Sequence, residues 1–539
     1  MPTTKHITHL ALLIVILSAT ITASAQKKHK TTIFVEHANY SEYNEKIGKN
    51  IQKLIGDIVL RHDSTFFYCD SAYLNDKTQN FDGFGHIHIN SSDSLHIYGD
   101  SIQYNSQSTI CVINGNVVLH NDSTKIESNE MDYNRTTKIA NYPHEGIITR
   151  GNKVLTSRKG TYDSDNDKIY FYNDVVVTTP DCKMLTDTLF YFTKLETMMF
   201  FGPTTIINKE NTIKGEYGRY NTISKDAVVN KKAFLQNESQ SIAADSLFYN
   251  QNDDFAKAHG NVVIIDTSNK LIANCQYGEM WKKLGYTFIT DSLMLTYYED
   301  TDSLFLSSDS LRLTFDTTTD NLQTIEAINN VKFFRTDVQG RGELLIYSKL
   351  DSTMHLLNDP VVWFDSCQLT AVSIRLTTNN NKPDSAFLNG KGFIIMHDSI
   401  EGFNQIKGDT IIAKLIENKL DNIRSTRNAE MIFYVREDDG TLTGLNKAKA
   451  PTIAFKARDG KIQSVVYKGK SEETMFPEKE ISTSNNRLGG FVWLNNKRPH
   501  SKDDVWTIKI KQVENETIVE QSTIEEPLPT KKEIKRRRR

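Results

Sequence analysis

Residues 242–266 read IAADSLFYNQNDDFAKAHGNVVIID. An apolar-alternating run ends on Tyr249, a polar turn follows, and Gly260-Asn261-Val262 arrives eleven residues after the tyrosine. The phrase returns at a fixed step. Tyr104, Tyr133, Tyr162, Tyr191, Tyr220 and Tyr249 follow one another at 29 residues and Tyr277 comes 28 later, with Tyr73, Phe315 and Tyr347 as looser continuations. A fixed period of this length marks a repeat architecture, in which each unit buries its apolar face only against its neighbours.

A turn-former follows most of these tyrosines: Asn105, Asn134, Asp163, Asn221, Asn250 and Ser348. Such side chains bond their own backbone, and Asn and Asp tolerate left-handed dihedrals, so the tyrosine closes a strand. A second turn signal falls later in each unit, as in Asn121-Asp122-Ser123, Gly151-Asn152 and Pro180-Asp181. Each unit is therefore a strand pair. Between turns the residues alternate with a period of two, placing Leu247 with Tyr249 and Val262 with Ile264 on one apolar face.

Eleven residues past the tyrosines stand Gly115, His144, Asn173, Gly202, Lys231, Gly260 and Asn358. Gly and Asn accept positive φ cheaply, so the position reads as a bend within a long strand. Turn-to-turn segments are longer than ordinary strands, and a bend resolves that. The expected fold class is all-β: an elongated, V-shaped β-jellyroll solenoid of stacked bent hairpins with repeats of about 29 residues. Two strands per unit advance it by about 9.6 Å, so roughly eleven units give a rod on the order of 100 Å.

The chain has 539 residues and a formal net charge of −3, which gives no case for nucleic acid. Residues 1–25 read as a secretory signal peptide, with Lys5 and His6, an apolar stretch Leu10–Leu17 and Ala23-Ser24-Ala25 before Gln26; the alternative is an uncleaved anchor. No later segment is long and apolar enough to cross a bilayer as a helix. The basic run Lys535–Arg539 reads as a solvated tail, with contact to anionic headgroups as the alternative. The expected divisions are repeats over 26–235 and 236–400, a terminal β module over 401–510 and a disordered basic tail over 511–539.

Cys69, Cys111, Cys182, Cys275 and Cys367 lie far apart, without a C-x-x-C pair, and read as buried small hydrophobes rather than a disulfide framework. His86, His88 and His96 suggest zinc, but a two-residue loop at Ser91-Ser92 would place His96 opposite Ile87 and on the other face; a three-residue loop would reverse this. No metal or cofactor is expected. No nucleophile elbow, metalloprotease helix, P-loop or dinucleotide fingerprint occurs, so no catalytic residues are assigned. Asp-Ser/Thr-apolar tripeptides, such as Asp70-Ser71-Ala72, Asp187-Thr188-Leu189, Asp245-Ser246-Leu247 and Asp398-Ser399-Ile400, resemble bacterial O-glycosylation acceptors, but their place in the repeat favours an origin in the tyrosine strand.

The phrase A-D-S-L-x-Y, turn, G-N-V-x-I, here Ala244–Tyr249 and Gly260–Ile264, resembles the OstA-like and LptA-like proteins of lipopolysaccharide transport. The resemblance covers roughly residues 30–400, and Arg487–Pro499, RLGGFVWLNNKRP, resembles the closing stretch of longer OstA-like proteins. It implies a non-enzymatic jellyroll in the periplasm of a Gram-negative cell that binds lipopolysaccharide and helps it toward the outer membrane. This chain is longer than single-module members and lacks a recognisable outer-membrane barrel half.

The physics of that role stands independently. An acyl chain of about 12 carbons costs roughly 10 kcal/mol to expose to water, so it needs a continuous apolar trough. The residues expected to line one are Ile102, Tyr104, Val117, Leu119, Met131, Tyr133, Val175, Val177, Leu189, Tyr191, Leu247, Tyr249, Val262 and Ile264. For each, plain closed core is the alternative. Exposed edges would join similar modules, or a second copy, end to end by strand addition. A structural or adhesive solenoid and a carbohydrate-active β-helix are the rival readings.

Overall fold

Alternation of apolar and polar residues, together with a turn every 10–15 residues, leaves the chain few ways to bury its side chains except as paired strands. In a computed structural model this is what it does. The structure describes residues 32–506, apart from 45, 47, 299–301, 380–381, 399–401, 418, 438 and 459–460. Residues 1–25, read above as a signal peptide, and the basic tail lie outside the described residues.

Compactness divides the chain into two units. The first holds residues up to 272 together with 277–288 and 315–321; the second holds 273–276, 289–314 and residues from 322 onward. Each is all-β.

In the first unit, successive strands pair antiparallel with their sequence neighbours, as Gln240–Asn250 does with Asp226–Gln236 on one side and Phe255–Asp266 on the other. In nearly every strand the register breaks near the middle, for example between Ile55 and Ile58, Phe84 and Ile87, Asn114 and Val117, and Ala243 and Ser246. The break coincides with positive φ at Gly115, Asn173, Gly202, Lys231 and Gly260, the positions read as bends. At the sixth first-unit position, His144, the chain instead leaves strand Ile139–Tyr142 before re-entering at Gly146–Arg150.

The bends divide the strands into two walls. Wall A carries one inward row, Leu60, Phe67, Ile89, Ile97, Leu119, Ile126, Ile148, Leu155, Val177, Met184, Ile206, Ile213, Leu235, Ile242 and Ile264, in which each residue pairs with the next across a strand boundary. Every member is apolar and buried. Wall B carries the tyrosines, alternating with the residue of the intervening strand: Tyr104, Cys111, Tyr133, Ala140, Tyr162, Ile169, Tyr191, Met198, Tyr220, Ala227, Tyr249. These too are buried. A single sheet would leave one of these rows in water; folding at the bends buries each against the other.

The second unit repeats the device with longer strands, such as Lys382–His397 and Lys419–Arg436, again with register breaks at mid-strand. Its inward row runs Gly340, Val362, Leu369, Ile394, Ile406, Met431, Ala448. Here one wall is buried on both faces, because residues 486–506 cross its outer side. None of the five cysteines is in a disulfide and all are buried, and burial pushes the Cys69 and Cys367 thiols up to about 12.

Candidate functional site

The space between the walls of the first unit is bounded on one side by the bends and on the other by the hairpin turns. The bend side is built locally. Gly260 takes φ +75°, and a Cβ there would lie 2.5 Å from Asp245 Oδ2 on the neighbouring strand. The same aspartate accepts from Asn261 Nδ2 at 2.9 Å, and Asp100 accepts from Asn116 at 2.8 Å. The recurring Asp-Ser/Thr-apolar tripeptide thus has a structural job: its aspartate brackets the bend of the next strand.

The turn side is laced shut. Tyr104 Oη bonds His62 Nδ1 at 2.6 Å, Tyr133 bonds Ser91 at 2.8 Å, Tyr162 accepts from Asn121 at 2.7 Å and Tyr249 accepts from Asn211 at 2.9 Å. Tyr191 and Tyr220 are placed alike, with Arg150 and the Cys182 thiol close enough to act on their hydroxyls. In each case the tyrosine belongs to wall B, and its partner lies 38–42 residues earlier at a turn of wall A. Ion pairs reinforce the rim: Arg135 with Asp63 at 2.7 Å, Lys153 with Glu196 at 2.9 Å, and Lys225 with Asp181 at 3.0 Å.

The electrostatics follow from this placement. Burial pushes the Tyr104 and Tyr133 hydroxyls up to about 12, outweighing the Arg135 and Ser91 bonds that favour ionisation. Burial also pushes the Glu196 carboxyl up, but bonds from Tyr191, Lys153 and Thr222 outweigh it and hold the group below its ordinary range. The phenols therefore stay neutral donors and acceptors at any physiological pH.

All fourteen residues expected to line a trough lie on the inward faces and are buried, from Leu119 and Met131 at 0% to Ile264 at 8% exposure. Val117, Leu119, Val175, Val177, Val262 and Ile264 stand on wall A, and Ile102, Tyr104, Met131, Tyr133, Leu189, Tyr191, Leu247 and Tyr249 on wall B. The tyrosines stand at the rim rather than deep in the space. What sequence reasoning missed is their partners, because His62, Ser91, Asn121, Arg150, Cys182 and Asn211 are of five residue types and form no motif.

The histidines need a correction. Five residues, Ser91–Leu95, separate the paired Asn90 and His96, so His96 lies opposite Asn90 rather than Ile87 and shares a face with His88, with ring nitrogens 3.1 Å apart. His86 sits at a bend with φ +44° and bonds Asp70 at 2.8 Å. The three do not converge, and among the described residues no three His, Cys, Asp or Glu side chains are placed to hold a metal.

Residues 30–187 and 181–245 match the family model of OstA-like proteins. Over these residues the chain is similar to OstA-like proteins. The OstA-like match takes in the laced rim from His62 to Asn211 and the repeats through Asp245. No curated protein matches the chain. Among solved structures, one similar chain is LptH of Pseudomonas aeruginosa, described as the LptA-homologous periplasmic component of the conserved lipopolysaccharide transport device. It is 19% identical, with 25% of this chain and 82% of that chain covered and a TM-score of 0.14, a likeness too small to carry weight.

Proposed function

We propose that this OstA-like chain is a periplasmic carrier or bridge for lipopolysaccharide, holding acyl chains between the two walls of the first unit while the sugar stays in solvent. The observation that carries the reading is the unbroken inward row from Leu60 to Ile264, fifteen apolar residues across consecutive strand pairings without a polar interruption. The family match over residues 30–245 supports the cargo class.

The walls are in contact, so loading requires the rim to part. Each lacing bond contributes about 1 kcal/mol net. One acyl chain leaving water gains roughly 10 kcal/mol, enough to offset the opening of several repeats while the apolar faces stay covered by the chain itself. No bond-making step belongs to this reading. Other jellyroll proteins, or a second copy, would join at the free strand edges.

A closed-core structural or adhesive solenoid is the second reading, favoured by the burial of both inward rows. Site-specific photocrosslinking separates the two. A photoreactive residue replacing Leu119 or Tyr249 is expected to yield a lipopolysaccharide adduct in cells, whereas one at outward-facing Val176 is not. Leu247→Asp combined with Ile264→Asp should abolish the adduct. Absence of adduct at both inward positions in folded protein would leave the closed-core reading standing.

A further inference from the structure

The outward face of the covered wall in the second unit carries a row not used by any reading above: Gln339, Trp363, Gln368, Ile395, Gln405 and Ile432, each paired with the next. Three are glutamines, 3%, 1% and 0% exposed. Gln339 and Gln368 are 29 residues apart and occupy the same repeat position; the equivalent first-unit positions, counted back from Tyr104 through Tyr249, hold His96, Lys125, Val154, Lys183, Thr212 and Ser241.

Burying an amide is unfavourable unless its hydrogen bonds are made, and these bonds go to main chain. Gln368 donates to Val492 O and accepts from Leu494 N, both at 2.7 Å. Gln405 donates to Asn486 O and accepts from Leu488 N, both at 2.8 Å. Each glutamine thus reads a carbonyl and the N–H two residues later, as a neighbouring strand would. Gln339 accepts from Arg498 Nε at 2.8 Å, and Arg498 also donates to Asp365 O at 2.7 Å. Between these fixed points Phe491 and Trp493 pack on Phe403, with ring centroids at 5.3 and 5.1 Å, while Leu488 enters the cluster of Phe393, Ile395, Ile432, Tyr434 and Leu445. The Trp363 indole N–H beneath is fully buried and finds no acceptor among the described residues.

We propose that this face is a binding site for an extended polypeptide segment, filled in cis by residues 486–498 and able to take the same segment from a second copy. Main-chain reading by Gln368 and Gln405 fixes the register, Arg498 on Gln339 anchors its far end, and the ring pocket for Phe491 and Trp493 selects the segment. The inference does not depend on the cargo of the first unit.

The test uses the full chain with a protease site placed at the exposed Ser482–Ser484. After cleavage the C-terminal fragment is expected to co-elute with the body, and two differently tagged nicked preparations should exchange fragments on mixing while circular dichroism stays constant. A peptide spanning 484–506 should compete, and its Phe491→Ala, Trp493→Ala form should not. Gln368→Ala with Gln405→Ala, which removes the four hydrogen bonds these side chains make to the segment, should speed fragment loss at least about tenfold. Exchange only on unfolding, or equal competition by a scrambled peptide, would overturn the proposal.

Discussion

Gly260 shows what one residue contributes to a repeat. Its φ of +75° and the proximity of Asp245 leave no room for a Cβ. Gly260→Ala is expected to cost about 1–2 kcal/mol, which in a unit of this size lowers the melting temperature by about 2–8 °C. Gly151, at φ +57° with open space around it, is the control. Gly151→Asn should leave the melting temperature nearly unchanged, since Asn tolerates that conformation in a turn. His88 gives a pH prediction. It is stacked on Tyr98 at 4.6 Å with His96 beside it, and burial followed by the His96 charge lowers its pKa. The folded state favours the neutral ring, so the stability it contributes is present above the ordinary imidazole range and lost as pH falls through the depressed value. Melting curves between pH 8 and pH 5 should fall more steeply for the wild type than for His88→Gln; parallel curves would refute this.

At the scale of the strand and its turns, the repeat was legible because one tyrosine and one bend residue recur at a fixed step, and both positions carry backbone or burial demands that few residue types meet. Gly115, Asn173, Gly202, Lys231 and Gly260 sit where the step put them. The lacing was not legible, because any hydrogen-bonding side chain can meet a phenol, and here a histidine, a serine and two asparagines do so. The crossing segment was hidden for another reason: Gln339, Gln368 and Gln405 look like ordinary outward strand residues until something covers them. Removing single hydroxyls tests the rim. Tyr162→Phe and Tyr249→Phe should each cost about 1 kcal/mol, and Tyr104→Phe up to about 3, since it strips a partner from both His62 and Arg135. On the transport reading the same variants increase lipid crosslinking at Leu119; on the closed-core reading they change stability alone.

Across the first unit as a whole, each hairpin touches its neighbours and little else, the condition under which an array loses structure piecewise. Leu119→Ala removes a fully buried side chain and should cost about 2–5 kcal/mol. Hydrogen exchange is expected to show protection lost in strands Leu95–Asn105, Ile110–Asn121 and Thr124–Asn134 and kept in Gln240–Asn250 and Phe255–Asp266. Uniform loss would mean the unit melts as one. The stitched rim has a corollary for traffic. Since each tyrosine stitch joins turns only one or two hairpins apart, a moving fatty tail would need to unfasten just the few pairs around it, and those behind could refasten. The toll at any instant would then be that of a short travelling blister, the same for a long conduit as for a brief one.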